Sequence, residues 1–162
     1  MTSKKINQII FSSIIFLVSL SSCGRSILNE EKSLTRNEWK RVDGSLFFEL
    51  TVKDTINAYD IFLSIEYDIN YPFDYLSTGI TFNSPQEEMR YSEAKILLKD
   101  DKGTYLGEKR KSTWYLISAV KEAFYFNNKG KYKIEVENLT GDKFSVPGVH
   151  KIGLVIRKSK TQ

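Results

Sequence analysis

Cys23 is the one side chain whose neighbours specify a reaction. It is the only cysteine in the 162-residue chain, and Leu20-Ser21-Ser22 stands directly before it. The peptidase that matures bacterial lipoproteins needs a branched apolar residue three positions before the cut, two small residues, and then cysteine. All four positions match. An ordinary signal peptidase needs a small residue where Leu20 stands. The expected chemistry is transfer of a diacylglyceryl group to Sγ as a thioether, since a thiol is soft and nucleophilic. Cleavage between Ser22 and Cys23 follows, and the new amino terminus is acylated in turn, with palmitate among the acyl groups. Each buried methylene is worth about 0.8 kcal/mol, and two chains hold a protein stably on a bilayer. The lone cysteine leaves no disulfide framework and no thiolate metal cluster.

The remaining chemistry-bearing residues point to less. His150 is the single histidine, which excludes a His-rich metal site. No nucleophile and orienting carboxylate are spaced around it as general base catalysis requires, so an exposed, unpartnered role is expected. The acid pairs Glu87-Glu88 and Asp100-Asp101 fall at loop-like positions, and no alternating-acid calcium loop is present. They read as solvated turns. Lys109-Arg110-Lys111 could meet anionic headgroups or an acidic partner, or it could be a solvated loop. Among the aromatic residues Tyr67, Tyr71, Phe73, Tyr75 and Phe82, most are expected to fill a core. The irregular segment Tyr71-Pro72-Phe73 with Tyr75 is the exception: Pro72 cannot donate to a strand ladder, and Asn70 and Asp74 bracket it with turn-forming groups. Tyr71, Pro72, Phe73 and Tyr75 are thus the candidate partner contact.

The elements that would position these residues start with an address. Lys4 and Lys5 precede Ile9 to Leu20 (IIFSSIIFLVSL), an apolar run too short for the roughly 20 residues a membrane span needs. It fits a signal-peptide core. Residues 24 to 36 are mostly polar without period-two patterning and read as a tether, whose end-to-end distance would be roughly 20 Å. Beyond it, Ser45 to Lys53, Ala58 to Asp68, Lys131 to Glu137 and Lys151 to Arg157 alternate apolar and polar residues. Such alternation marks half-buried strands. Weaker strands are expected at Glu38 to Val42, Thr78 to Asn83, Tyr91 to Lys99 and Val120 to Phe126, and Thr113 to Glu122 could instead be helical. Turn signals at Asp43-Gly44, Ser84-Pro85, Asp101-Lys102-Gly103, Thr140-Gly141-Asp142 and Pro147-Gly148 separate them. The expected fold is all-β: a two-sheet antiparallel β-sandwich of about eight strands. The chain divides into a cleaved lipoprotein signal peptide at 1–22, a lipidated N-terminus and flexible tether at 23–36, and the β-sandwich domain at 37–162.

Charge and composition exclude other classes. Loss of residues 1–22 leaves 22 Lys and Arg against 20 acids in 140 residues. That balance is unlike a nucleic-acid surface, which concentrates basic residues on one face. With 13% aromatic residues the domain should be folded, and 140 residues suffice for one core. Gly24-Arg25, rather than an acidic run, follows Cys23, so the periplasmic face of the outer membrane is the expected location.

Several features in a fixed order carry a resemblance. They are Asp54-Thr55 after the first strong strand, Asn70-Tyr71-Pro72-Phe73-Asp74-Tyr75-Leu76, Gly103-Thr104-Tyr105-Leu106-Gly107, Gly130-Lys131-Tyr132, and Pro147-Gly148-Val149 with Ile152-Gly153-Leu154-Val155-Ile156. Behind a lipobox, this order resembles the gliding-motility lipoprotein H family of Bacteroidetes from Trp39 to Lys158. One departure is Glu137-Asn138-Leu139-Thr140-Gly141, where the family usually has a Gln-x-Met-Arg-like segment. The resemblance implies an outer-membrane lipoprotein that works with the gliding machinery and the secretion system tied to it. It implies no catalytic residue, cofactor or metal. The expected function is therefore non-enzymatic. Its partners would be the membrane, through the lipid on Cys23, and other gliding and secretion proteins, with neither a nucleic acid nor a small-molecule substrate. The alternative is a carbohydrate-binding β-sandwich lipoprotein whose Tyr71 to Tyr75 loop stacks on glycan.

Overall fold

The computed structural model describes residues 26–42, 44–141 and 144–160. Cys23, the signal-peptide segment and Gly24-Arg25 lie outside the described residues. The described residues form eleven strands: β1 (Ser26–Ser33), β2 (Glu38–Lys40), β3 (Leu46–Val52), β4 (Tyr59–Asp68), β5 (Tyr75–Asn83), β6 (Met89–Leu97), β7 (Glu108–Lys109), β8 (Thr113–Phe124), β9 (Gly130–Asn138), β10 (Ser145–Pro147) and β11 (Val149–Lys158). A five-stranded sheet runs β1-β11-β4-β8-β7, and a four-stranded sheet runs β3-β9-β5-β6. A small ribbon joins β10 to β2. Every pairing is antiparallel.

The core forms because alternate side chains of both sheets turn inward. Ile61, Leu63, Ile65 and Tyr67 of β4 and Ile152, Leu154 and Ile156 of β11 meet Phe48, Leu50, Ile80, Phe82, Ile134 and Val136 from the facing sheet. Rings bridge the layers: Phe82 of β5 lies 4.7 Å from Phe124 of β8, and Phe126 sits edge-on to Tyr59, Phe124 and Tyr132. Edge-to-face pairs of this kind contribute about 0.5–1.5 kcal/mol beyond the area they bury. At one end the ribbon closes the core with Trp39, which is fully buried and donates from Nε1 to the Gly44 carbonyl at 2.9 Å.

Two expectations are corrected. The stretch read as a flexible tether is, from Ser26 to Ser33, the edge strand β1, paired with β11 from Ser26↔Arg157 to Ser33↔Lys151. Its half-buried positions from Leu28 onward are Leu28, Glu30 and Lys32. An edge strand that turns charged side chains inward resists adding a further strand, and that same patterning hides it as coil. Thr113 to Glu122 is strand, not helix. Trp114, Leu116 and Val120 pack on the core while Ile117 and Ala119 stay exposed, so apolar residues occupy both faces and blur the period. On β3, Phe47 is an apolar residue on the outward face. It is exposed, with Lys133 Nζ 4.1 Å over its ring.

Gly153 lets β1 close onto the sheet. It faces Glu31 on one side and Ser64 on the other. A Cβ there would lie 2.2 Å from Ser64 Oγ and 2.7 Å from Glu31 Cγ. Without that side chain, Ser64 Oγ donates across the gap to Glu31 Oε1 at 3.1 Å.

Candidate functional site

The segment after β4 was expected to present rings to a partner. The chain does leave the sheet there: Tyr71 N–H donates to the Asp68 carbonyl at 3.1 Å, and Pro72 is exposed. The turn then folds inward. Tyr71 is only 3% exposed, edge-on to Tyr67 at 6.0 Å and to Phe73 at 5.9 Å. Burial pushes its phenol well above the ordinary tyrosine range. Phe73 is half-buried against the core, and a Cβ on Gly141 would touch its Cζ at 3.2 Å. Tyr75 opens β5, half-buried, with Lys95 Nζ 4.2 Å over its ring. The expected contact residues are thus brought together, but as a plug that closes the end of the sandwich. Pro72 lies outside the ladder as expected, with β4 ending at Asp68 and β5 starting at Tyr75. The three apolar rings around it found more contact inside the sandwich than in solvent. Of the four, Pro72 is the one left exposed.

A second aromatic group extends the plug. Tyr67 OH lies 2.9 Å from the Leu106 carbonyl and 3.1 Å from that of Leu98, and burial pushes its pKa up to about 12. Tyr105 stacks on Trp114 at 5.2 Å and hydrogen-bonds the Ile69 carbonyl through its hydroxyl. Sequence reasoning missed these roles for Tyr105 and Trp114, because neither lies on a readable alternating strand. The segment Glu137 to Gly141 is likewise structural at its centre. Asn138 Nδ2 donates to the Trp39 carbonyl at 2.9 Å, Ser77 N–H donates to Thr140 Oγ1 at 2.9 Å, and Asn138 and Thr140 are buried.

The polar candidates also have partners. His150 is half-buried rather than alone, with Nε2 2.7 Å from Asp68 Oδ1. The pair fastens the start of β11 to the end of β4, where Asp68 N–H also donates to the Gly148 carbonyl at 2.8 Å. In the basic run, the Arg110 guanidinium lies 3.7 Å over the Tyr115 ring and 3.5 Å from Glu66 Oε2. Lys151 Nζ holds the same oxygen at 2.9 Å, and Thr113 Oγ1 donates to the other at 3.1 Å. Burial pushes the Glu66 pKa upward, but these partners outweigh it and hold the carboxyl below its ordinary range. Arg110 therefore belongs to a surface ion-pair network, while Lys109 and Lys111 remain exposed. Glu31 extends the network, accepting from Tyr115 OH at 2.9 Å. Among the described residues no three His, Cys, Asp or Glu side chains converge as a metal site would require. No helix among them is long and apolar enough to cross a membrane.

The arrangement is a closed sandwich whose first strand begins three residues after Cys23. Comparison with known proteins agrees on the extent of that domain. The model of the GldH lipoprotein family matches residues 26–156, from the first residue of β1 to Ile156 near the end of β11. Gliding motility lipoprotein GldH of Flavobacterium johnsoniae is 25% identical over 141 residues, covering 84% of each chain. The gliding motility lipoprotein GldH homolog of Christiangramia forsetii is 26% identical over 151 residues, covering 88% of this chain and 87% of its own. With a match that starts at the first strand and takes in both sheets and the aromatic plug, the chain belongs to the GldH lipoprotein family.

Proposed function

We propose that this chain is a lipid-anchored, non-enzymatic component of the gliding machinery and of the protein secretion coupled to it, acting through contacts with other envelope proteins from the periplasmic face of the outer membrane. The observation that carries this reading is the family match across the whole sandwich, together with two relatives named for gliding motility. The position of β1 adds a physical constraint. At no more than about 3.6 Å per residue, Cys23 and Ser26 lie within roughly 11 Å of each other. A lipid on Cys23 would therefore hold the sandwich against the bilayer, where a 13-residue tether would have let it swing. The glycan-binding alternative had the Tyr71 to Tyr75 loop stack on sugar, and within that loop the Tyr71 ring is buried and Phe73 and Tyr75 are half-buried.

The test is deletion of the gene in its own host and complementation with the wild-type chain or with Cys23→Ser. Deletion should abolish spreading and reduce secretion of surface proteins. Wild type should restore both, whereas Cys23→Ser should accumulate as uncleaved precursor and fail. Normal spreading and secretion in the deletion strain would refute the function. Full complementation by Cys23→Ser would refute the anchor.

A further inference from the structure

The edge strand β6 lacks several of the features that usually blunt a sheet edge. It closes one side of the four-stranded sheet and pairs only with β5, in unbroken register from Tyr75↔Leu97 to Asn83↔Met89. Edges are usually blunted by proline, bulges, inward charges or shortness. The opposite sheet follows that rule, since β1 turns Glu30 and Lys32 inward and β7 has two residues. β6 has nine residues, with no proline and no bulge; its one inward charge, Arg90, stands near one end over the Phe124 ring, and Glu93 and Lys95 point outward. Just beyond it, Leu98 N–H donates to the Asp74 carbonyl at 2.8 Å, which sets the phase of the ladder. Backbone groups alternate sides along an antiparallel strand. Ile96, Ala94 and Ser92 therefore bond to β5, while the N–H and C=O groups of Tyr91, Glu93, Lys95 and Leu97 face away from it. The side chains of these outward-facing residues are exposed too, Tyr91 by 51% and Leu97 by 56%.

We propose that two copies of this chain join antiparallel through β6, about a twofold axis at Ala94, to form one continuous sheet. Charge selects both the partner and the register. Outward-facing backbone groups must meet outward-facing groups, so odd-numbered residues pair with odd-numbered residues. With the axis at Glu93, two glutamates oppose each other; at Lys95, two lysines do. With the axis at Ala94, Glu93 faces Lys95 of the second copy and Lys95 faces its Glu93. Tyr91 then faces Leu97, and Leu97 faces Tyr91, matching aromatic with aliphatic side chains. The small Ala94 sits on the axis. The other edge of this sheet lacks such a code, because the outward face of β3 carries a single charge, Glu49, and so has no pair of opposite charges to match across an axis.

The full mature chain, extracted in mild detergent, provides the test. At the axis, Ala94 forms the closely spaced, non-hydrogen-bonded type of pair, with Cα atoms about 4.5 Å apart, which is within disulfide reach. Ala94→Cys should therefore give a covalent dimer under mild oxidation. Ser92→Cys should not, since it would lie four residues from its own counterpart. Glu93→Lys should weaken dimerisation by about tenfold or more in sedimentation equilibrium, because both charge pairs become repulsive. Glu93→Lys/Lys95→Glu should restore it. The proposal is overturned if Ala94→Cys stays monomeric while folded, if Ser92→Cys crosslinks equally, or if Ala94→Cys crosslinks only to a different protein. It is overturned equally if Glu93→Lys leaves the association unchanged.

Discussion

Tyr71→Ala should cost the domain stability well before it costs any partner a contact. The ring is almost fully buried and makes edge contacts with Tyr67 and Phe73. Truncating a buried aromatic residue typically costs about 3–5 kcal/mol, which already includes the lost ring contacts. The hydroxyl contributes little of that, since its contact with the Tyr75 carbonyl is long at 3.4 Å. Tyr71→Phe should therefore cost under about 1 kcal/mol. Pro72→Ser, on the exposed turn, should stay within about 0.5 kcal/mol. With a urea dependence of about 2 kcal/mol per molar, Tyr71→Ala should lower the unfolding midpoint by about 2 M. Out of a typical total of about 5–15 kcal/mol, that leaves little margin. The assay is urea denaturation of the mature chain followed by tryptophan fluorescence, with spreading of the complemented host scored in parallel. If Tyr71→Ala leaves the midpoint unchanged and abolishes spreading, the plug reading is wrong and the loop is a contact surface after all.

Gly153→Val should be more damaging than its size suggests, because a Cβ there meets Ser64 Oγ and Glu31 Cγ. Amide exchange across Ser26–Ser33 should speed up while the β4 centre stays protected. Leu63→Ala, at a fully buried site, should cost about 2–5 kcal/mol in chemical denaturation; an unchanged midpoint would mean the β4 register is off by one. Asp54, Glu66 and Asp100 are all held below their ordinary range: Asp54 chiefly by the Ile56 N–H, Glu66 by Lys151 and Thr113 against its burial, Asp100 by the Thr104 N–H. The stability they supply is complete above the unfolded value near 4 and is lost as pH falls through the lower folded values, which acid titration of the unfolding midpoint should record. At high pH, Tyr67 is raised by burial to about 12. Its contribution is present below the unfolded value near 10 and is lost between there and about 12, so alkaline unfolding should be shallower in Tyr67→Phe.

The strongest strands were legible because their two faces differ in polarity. Leu50, Leu63 and Ile134 sit where alternation puts them, in the core. β1 and β8 were not legible, for opposite reasons. In β1 the half-buried face carries Glu30 and Lys32, so no apolar stripe betrays it. In β8 both faces are apolar, and the length invites a helix. The aromatic turn shows a different limit. Local chemistry correctly kept Pro72 out of the ladder, but the loop leans inward onto groups distant in sequence, with Phe73 against Gly141, nearly seventy residues later. The pairing of His150 with Asp68 is of the same long-range kind, set by the β4–β11 register.

The place of β1 also decides how force would enter the molecule. A pull arriving from the membrane meets Ser26 first. If it runs along the strand, it shears the whole Ser26–Ser33 ladder at once, so the bonds share the strain in parallel. If it runs across the strand, it peels pairs singly from the Ser26 end. Glu31 reinforces the first geometry, since its carboxylate reaches past β11 to Ser64 on β4 and to Tyr115 on β8. Single-molecule pulling from the N-terminus should then give a higher rupture force along β1 than across it, and Glu31→Ala should narrow the difference. A domain hung from a membrane this way would be stiff to drag in the direction of its first strand and would yield to being lifted off.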